Sequence, residues 1–76
     1  MKSATKTEVM NRLRAIRQAQ KLSLWGLATH AKTSATTLSA IEKWGYHPGA
    51  GLRARIAAAL GVQVTDIWPV EEGSHG

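Results

Sequence analysis

Residues 22–42 read Leu22-Ser23-Leu24-Trp25-Gly26-Leu27-Ala28-Thr29-His30-Ala31-Lys32-Thr33-Ser34-Ala35-Thr36-Thr37-Leu38-Ser39-Ala40-Ile41-Glu42. Ser23 and Ser34 each stand where a helix N-cap belongs, just ahead of an apolar period. After Ser23, the residues Leu24, Leu27, Ala28 and Ala31 recur at helical spacing and supply a buried side. After Ser34, Leu38 and Ile41 form the inward pair of a helix over Ala35 to Lys43, with Ala35 or Ala31 beside them. Lys32 and Thr33 interrupt the pattern. Ala28 is small and lets another helix come close. Helix, three-residue break, helix is the spacing of a helix-turn-helix.

Outward from this pair the chain continues as helices. Upstream, a first helix is predicted from about Thr5 to Gln20. Thr5 and Glu8 have capping-box spacing, and Val9, Leu13 and Ile16 make one apolar face. Downstream, Trp44-Gly45-Tyr46-His47-Pro48-Gly49 is a loop, in which Gly45 can take positive φ and close the preceding helix. A fourth helix spans about Ala50 to Leu60, with Leu52, Ile56 and Ala59 or Leu60 on one face and Gly61 closing it. Val64 to Trp68 is a last short turn that Pro69 prevents from extending. The expected fold is therefore all-α with five helices, the helix-turn-helix formed by the second and third. One domain over residues 1–70 is expected, followed by a flexible acidic tail over 71–76.

Composition narrows the chemistry. A chain of 76 residues has too small a core for a deep catalytic cleft or a nucleotide-binding fold. Residues 1–60 hold all ten basic side chains and only Glu8 and Glu42, whereas Asp66, Glu71 and Glu72 follow with no Lys or Arg. A basic body of this kind suits a polyanion, although Arg12, Arg14, Arg17 and Lys21 taken alone read first as a solvated helix face. The chain has no cysteine, which excludes disulfides, thiolate metal sites and thiol catalysis. No apolar run is long enough to span a membrane, and Met1 to Lys6 has no apolar segment behind its charges, so cytoplasmic residence is expected. His30, His47 and His75 share no ligand spacing, and no nucleophile set, carboxylate pair or phosphate loop emerges. No enzyme activity, metal or cofactor is expected.

The stretch as a whole resembles the helix-turn-helix of the lambda-repressor/Cro (XRE) family. The residues that carry the resemblance are Leu22, Ser23, Leu27, Ala28, Ser34, Thr37, Leu38, Ser39, Ile41 and Glu42. Leu13-Arg14-x-x-Arg17 upstream fits it too, as do Ile56-Ala57-x-Ala59-Leu60-Gly61-Val62 and Asp66-Ile67-Trp68 downstream. Lys21 to Leu24, Ala35 to Leu38 and Ile67 to Pro69 are similar to the Ner/Nlp group of small phage-type regulators, with a few more residues between the last two blocks. Two positions depart from the family pattern. Leu24 stands where a phosphate-anchoring Gln is common, and Lys32 stands where the turn has a left-handed Gly. A lysine held there costs up to about 1–2 kcal/mol and puts a cation at the turn.

The resemblance implies a lambda-repressor-like domain that binds duplex DNA site-specifically and regulates transcription, as a repressor of phage or prophage type. In the helix-turn-helix geometry the second helix enters the major groove, which makes Ser34, Ala35, Thr36, Ser39 and Ala40 the base-reading set. That set lacks Arg, Asn and Gln, so direct readout is expected to be modest, with methyl contacts, water and DNA shape adding discrimination. Phosphate-binding candidates are Ser23, Lys32, Thr33, Lys43, Tyr46 and His47. His47 also reads as an ordinary loop histidine, and Lys32 as no more than a reshaped turn. The resemblance pairs Arg17 with Glu42 in a partly buried ion pair, the alternative being two separate surface charges. Trp68 is expected on the core and Trp44 at the core edge. Trp25 is expected to be exposed, as a dimer contact or a DNA sugar contact. Expected partners are a double-stranded operator and a second copy of the chain on it, with no membrane. The alternatives are an autorepressing antitoxin of a toxin–antitoxin pair, or a protein-interaction module on the same fold.

Overall fold

The computed structural model describes residues 11–69. Thr5, Glu8 and Val9, with the capping box expected there, lie outside the described residues, as does the tail 71–76. The described residues form five helices and no strand: α1 (Leu13–Ala19), α2 (Leu24–Ala31), α3 (Ala35–Trp44), α4 (Ala50–Leu60) and α5 (Val64–Ile67). The all-α fold class stands as expected. The three-residue break between α2 and α3 stands as well, and α3 runs one residue past its expected end.

The first helix, expected from Thr5, begins at Leu13 within the described residues, where Asn11 and Arg12 are not helical. Asn11 explains this start. Its Oδ1 accepts the Leu13 N–H at 3.0 Å, and its Nδ2 donates to the Ile41 carbonyl on α3 at 2.9 Å. The Arg12 N–H donates to the Ile67 carbonyl at 2.9 Å. These two residues tie the start of α1 to α3 and α5, which helical geometry would not permit.

The N-caps fall where the hydroxyls predict. Ser23 Oγ accepts the Gly26 N–H at 2.9 Å, and Ser34 Oγ accepts the Thr37 N–H at 3.0 Å. Each satisfies one amide that has no partner within its helix. At α5, Asp66 Oδ2 accepts the Gln63 N–H at 2.8 Å and secures that short turn.

Helix ends follow a common pattern. α1, α2 and α4 each close with a left-handed residue and two backbone hydrogen bonds reaching back into the last turn. At α4 the left-handed residue is Gly61, but at α1 and α2 it is Lys21 and Lys32, both with φ of 59°. In α2 the Lys32 N–H donates to the Thr29 carbonyl at 3.3 Å and the Thr33 N–H to the Ala28 carbonyl at 3.0 Å. In α1 the Lys21 N–H reaches Gln18 at 2.9 Å and the Leu22 N–H reaches Arg17 at 3.1 Å. The lysine side chains do not favour this backbone; the surrounding bonds hold it.

The core is apolar throughout. Leu13, Leu27, Ala31, Leu38, Ile41, Ile56 and Ile67 are fully buried, and among the described residues the Arg17–Glu42 pair lies at the edge of this core, not within it. On α4 the buried alanine is Ala57, with Ala59 only partly covered. Gln20 Nε2 donates to the Leu60 carbonyl at 2.7 Å and joins the ends of α1 and α4. Trp68 is buried as expected, and its Nε1 has no hydrogen-bond partner among the described residues. No helix among the described residues is long and apolar enough to cross a membrane.

Candidate functional site

The α2–α3 pair presents a small polar surface framed by positive charge. On α3 the inward stripe is Leu38 and Ile41, both buried. Helical spacing puts Thr36, Ser39, Ala40 and Lys43 on a separate stripe. Thr36 and Lys43 are exposed, and Ser39 and Ala40 are half-buried. Ala35 is half-buried and packs partly on the core, so only part of its methyl faces outward. Ser34 is exposed, but its hydroxyl is engaged: it accepts from the Thr37 N–H and donates to Thr37 Oγ1 at 2.9 Å. Ser23 caps through its lone pairs and donates to no group among the described residues.

One ion pair fastens α3 to α1 beside the core contacts and the Asn11 hydrogen bond. Arg17 Nε donates to Glu42 Oε2 at 2.7 Å and its Nη2 donates to Oε1 at 3.1 Å. Nη1 donates to the Leu22 carbonyl, just before the α2 cap, at 2.7 Å. The side chains are 11% and 5% exposed. One guanidinium therefore joins α1, the entrance to α2 and the last turn of α3. The hydrogen bond to Glu42 holds the Arg17 pKa above its ordinary value, against the opposing effect of burial. The partly buried pair is the arrangement expected at these positions.

This pair also shapes the surface charge. Glu42 is the only acid between residues 11 and 60, and it is withdrawn against Arg17. Lys21, Lys32, Lys43 and Arg55 are exposed. The surface of α1 to α4 thus carries cations with no exposed carboxylate among the described residues.

The phosphate-binding candidates do not form one cluster. Lys43, Tyr46 and His47 lie together where α3 passes into the loop. Pro48 in that loop is fully buried, and its carbonyl accepts Arg53 Nε at 3.1 Å. The His47 ring meets Trp68 edge-on, with centroids 6.2 Å apart. His47 is nonetheless exposed, so it both steadies the loop and keeps a free edge. Lys32 belongs elsewhere. It lines an open depression with His30, Arg55, Ala58 and Ala59. Arg55 Nε donates to the Ala31 carbonyl at 3.0 Å. Cations there complement the negative end of the α2 dipole. Thr33 is half-buried beside Lys32.

Trp44 departs from expectation. It does not cap the core edge but stands 77% exposed. The reason is the extra residue of α3, which carries Trp44 past the core before Gly45 turns the chain at φ 74°. The loop buries Pro48 instead. Trp25 is 76% exposed, as expected, and Tyr46 is 52% exposed. Sequence reasoning also missed Asn11, Arg53 and Arg55 as positioning residues. For the two arginines the available signal was their place off the apolar face of α4.

No known protein-family model matches the chain, and no curated protein matches its sequence.

Proposed function

We propose that the chain is a small transcriptional regulator of the lambda-repressor/Cro type, which binds duplex DNA site-specifically and acts as a repressor. The observation that carries the reading is the pairing of two features. A capped helix-turn-helix presents Thr36, Ser39 and Ala40, and among the described residues Lys21, Lys32 and Lys43 meet no carboxylate, because Glu42 is engaged by Arg17. In this reading α3 lies in the major groove with its first turns at base edges. Thr36 and Ala40 offer methyl contacts and Ser39 a weakly selective hydroxyl. Ser23, Lys32, Thr33, Lys43, Tyr46 and His47 hold phosphates. Arg17 and Glu42 are positioning residues that set the angle of α3. Two copies on a two-fold operator would place their half-sites about one helical turn apart. Cytoplasmic residence, a phage or prophage setting and the Ner/Nlp likeness belong to this proposal.

The test is the salt dependence of binding to a dye-labelled duplex, read by anisotropy. Lys32 and Lys43 of two protomers neutralise four phosphates, which gives a slope of log affinity against log salt of about −4. A nearly flat slope counts against DNA as the partner. The exposed indole of Trp25 favours a second reading, a protein-interaction module. In that case Trp25→Ala abolishes capture of a protein partner and salt has little effect.

A further inference from the structure

Trp44 and Tyr46 stand two residues apart where α3 ends, and both are largely in water. Trp44 lies four residues after Ala40 and eight after Thr36, so it continues the outward line of α3 to its C-terminal end. Lys43 and His47 beside it are exposed. Among the described residues the only nearby carboxylate, Glu42, is turned into Arg17. The loop that carries Tyr46 is pinned by buried Pro48 and by the Arg53 hydrogen bond. The result is an exposed aromatic stretch with positive charge and, among the described residues, no available acid. A second copy of the same patch would meet like charge. A polyanion with apolar faces would not.

We infer that Trp44, with Tyr46 beside it, packs on the deoxyribose–phosphate backbone of duplex DNA where α3 leaves the groove. This rests on the DNA-binding reading above. A helix that reads base edges with its first turns meets the backbone at its far end. There the sugar offers an apolar C–H face to the indole, and the indole N–H and phenol O–H can donate to phosphate. The contact is independent of base sequence. It adds affinity, not discrimination.

The chain has three tryptophans, and Trp68 is buried, so the Trp25→Phe protein has Trp44 as its one exposed indole. Acrylamide quenching of that protein is measured free and in complex with a short mixed-sequence duplex, whose dye anisotropy reports the complex independently. The Stern–Volmer constant falls several-fold in the complex. In parallel, Trp44→Ala weakens binding about ten-fold, as loss of an aromatic stacking contact does. The salt slope stays unchanged, because no charge is removed. Unchanged quenching in a complex that anisotropy confirms overturns the inference, as does Trp44→Ala binding as tightly as the parent. A fall in quenching with protein concentration alone, without DNA, makes the patch an interface between copies and also overturns it. Flat anisotropy at every concentration removes the DNA-binding reading itself, and this contact with it.

Discussion

Arg17 grips Glu42 through two hydrogen bonds, at 2.7 and 3.1 Å, while its third nitrogen holds the Leu22 carbonyl at 2.7 Å. Removing either side chain leaves the other charge largely out of water and without its partner. Arg17→Ala and Glu42→Ala are each expected to cost about 3–5 kcal/mol. Arg17→Met with Glu42→Leu, which leaves no orphan charge, costs less than the two single changes added together. Urea unfolding followed by circular dichroism reads all three. A cost below about 1 kcal/mol for the single variants would make the pair no better than a surface one.

Lys21 and Lys32 hold a backbone that glycine adopts without strain. Lys21→Gly and Lys32→Gly should each stabilise the domain, by up to about 1 kcal/mol after the flexibility that glycine adds to the unfolded chain is counted. On the proposed reading the two differ on DNA. Lys32→Gly weakens binding and lowers the salt slope by about 1 per protomer, and Lys21→Gly leaves the slope alone. Thermal unfolding and anisotropy titration at several salt concentrations separate the effects.

Ser34 caps α3, and the base-reading proposal also puts it at the groove. The two roles separate by substitution. Ser34→Ala loses the cap and costs about 1 kcal/mol. Ser34→Asp keeps a capping carboxylate, so stability holds, but it brings negative charge to the phosphates. DNA binding is expected to fall at least as far with Ser34→Asp as with Ser34→Ala, in the opposite order to stability.

Trp68 is buried with an indole N–H that finds no acceptor among the described residues. Trp68→Phe removes that orphan donor along with some packing volume, so the net change should stay within about 1 kcal/mol. Trp68→Ala, which leaves a cavity under the His47 ring, should cost about 3–5 kcal/mol. The difference between the two variants, measured by chemical denaturation, tests whether the indole serves as packing.

The parts of the fold legible in sequence were those fixed by local chemistry. The hydroxyls of Ser23 and Ser34 mark helix starts, and Gly45 and Gly61 mark ends, because each acts within one turn of its own residue. The inward positions Leu27, Leu38, Ile41 and Ile56 followed from periodicity alone. Long-range contacts were not legible. Asn11 looks like an interior helix residue until its amide is seen on Ile41, thirty residues away, and Gln20 and Arg55 find backbone carbonyls on other helices. Lys21 gave no local sign of a left-handed backbone, which the closing bonds of α1 impose. At the candidate site, the Arg17–Glu42 pair came from the resemblance. Trp44 was misread because one extra helical residue decides which way the indole points.

The central claim is that the surface of α3 reads duplex DNA. The most direct measurement is selection from a pool of random duplexes at low and moderate salt, run beside Thr36→Glu, which places a charge on the exposed face of α3 without touching the core. The expected result is enrichment of one pseudo-palindromic site by the parent protein, loss of that enrichment in Thr36→Glu, and unchanged thermal stability of the variant. Weak, salt-sensitive binding with no enriched site, or enrichment that survives Thr36→Glu, would contradict it.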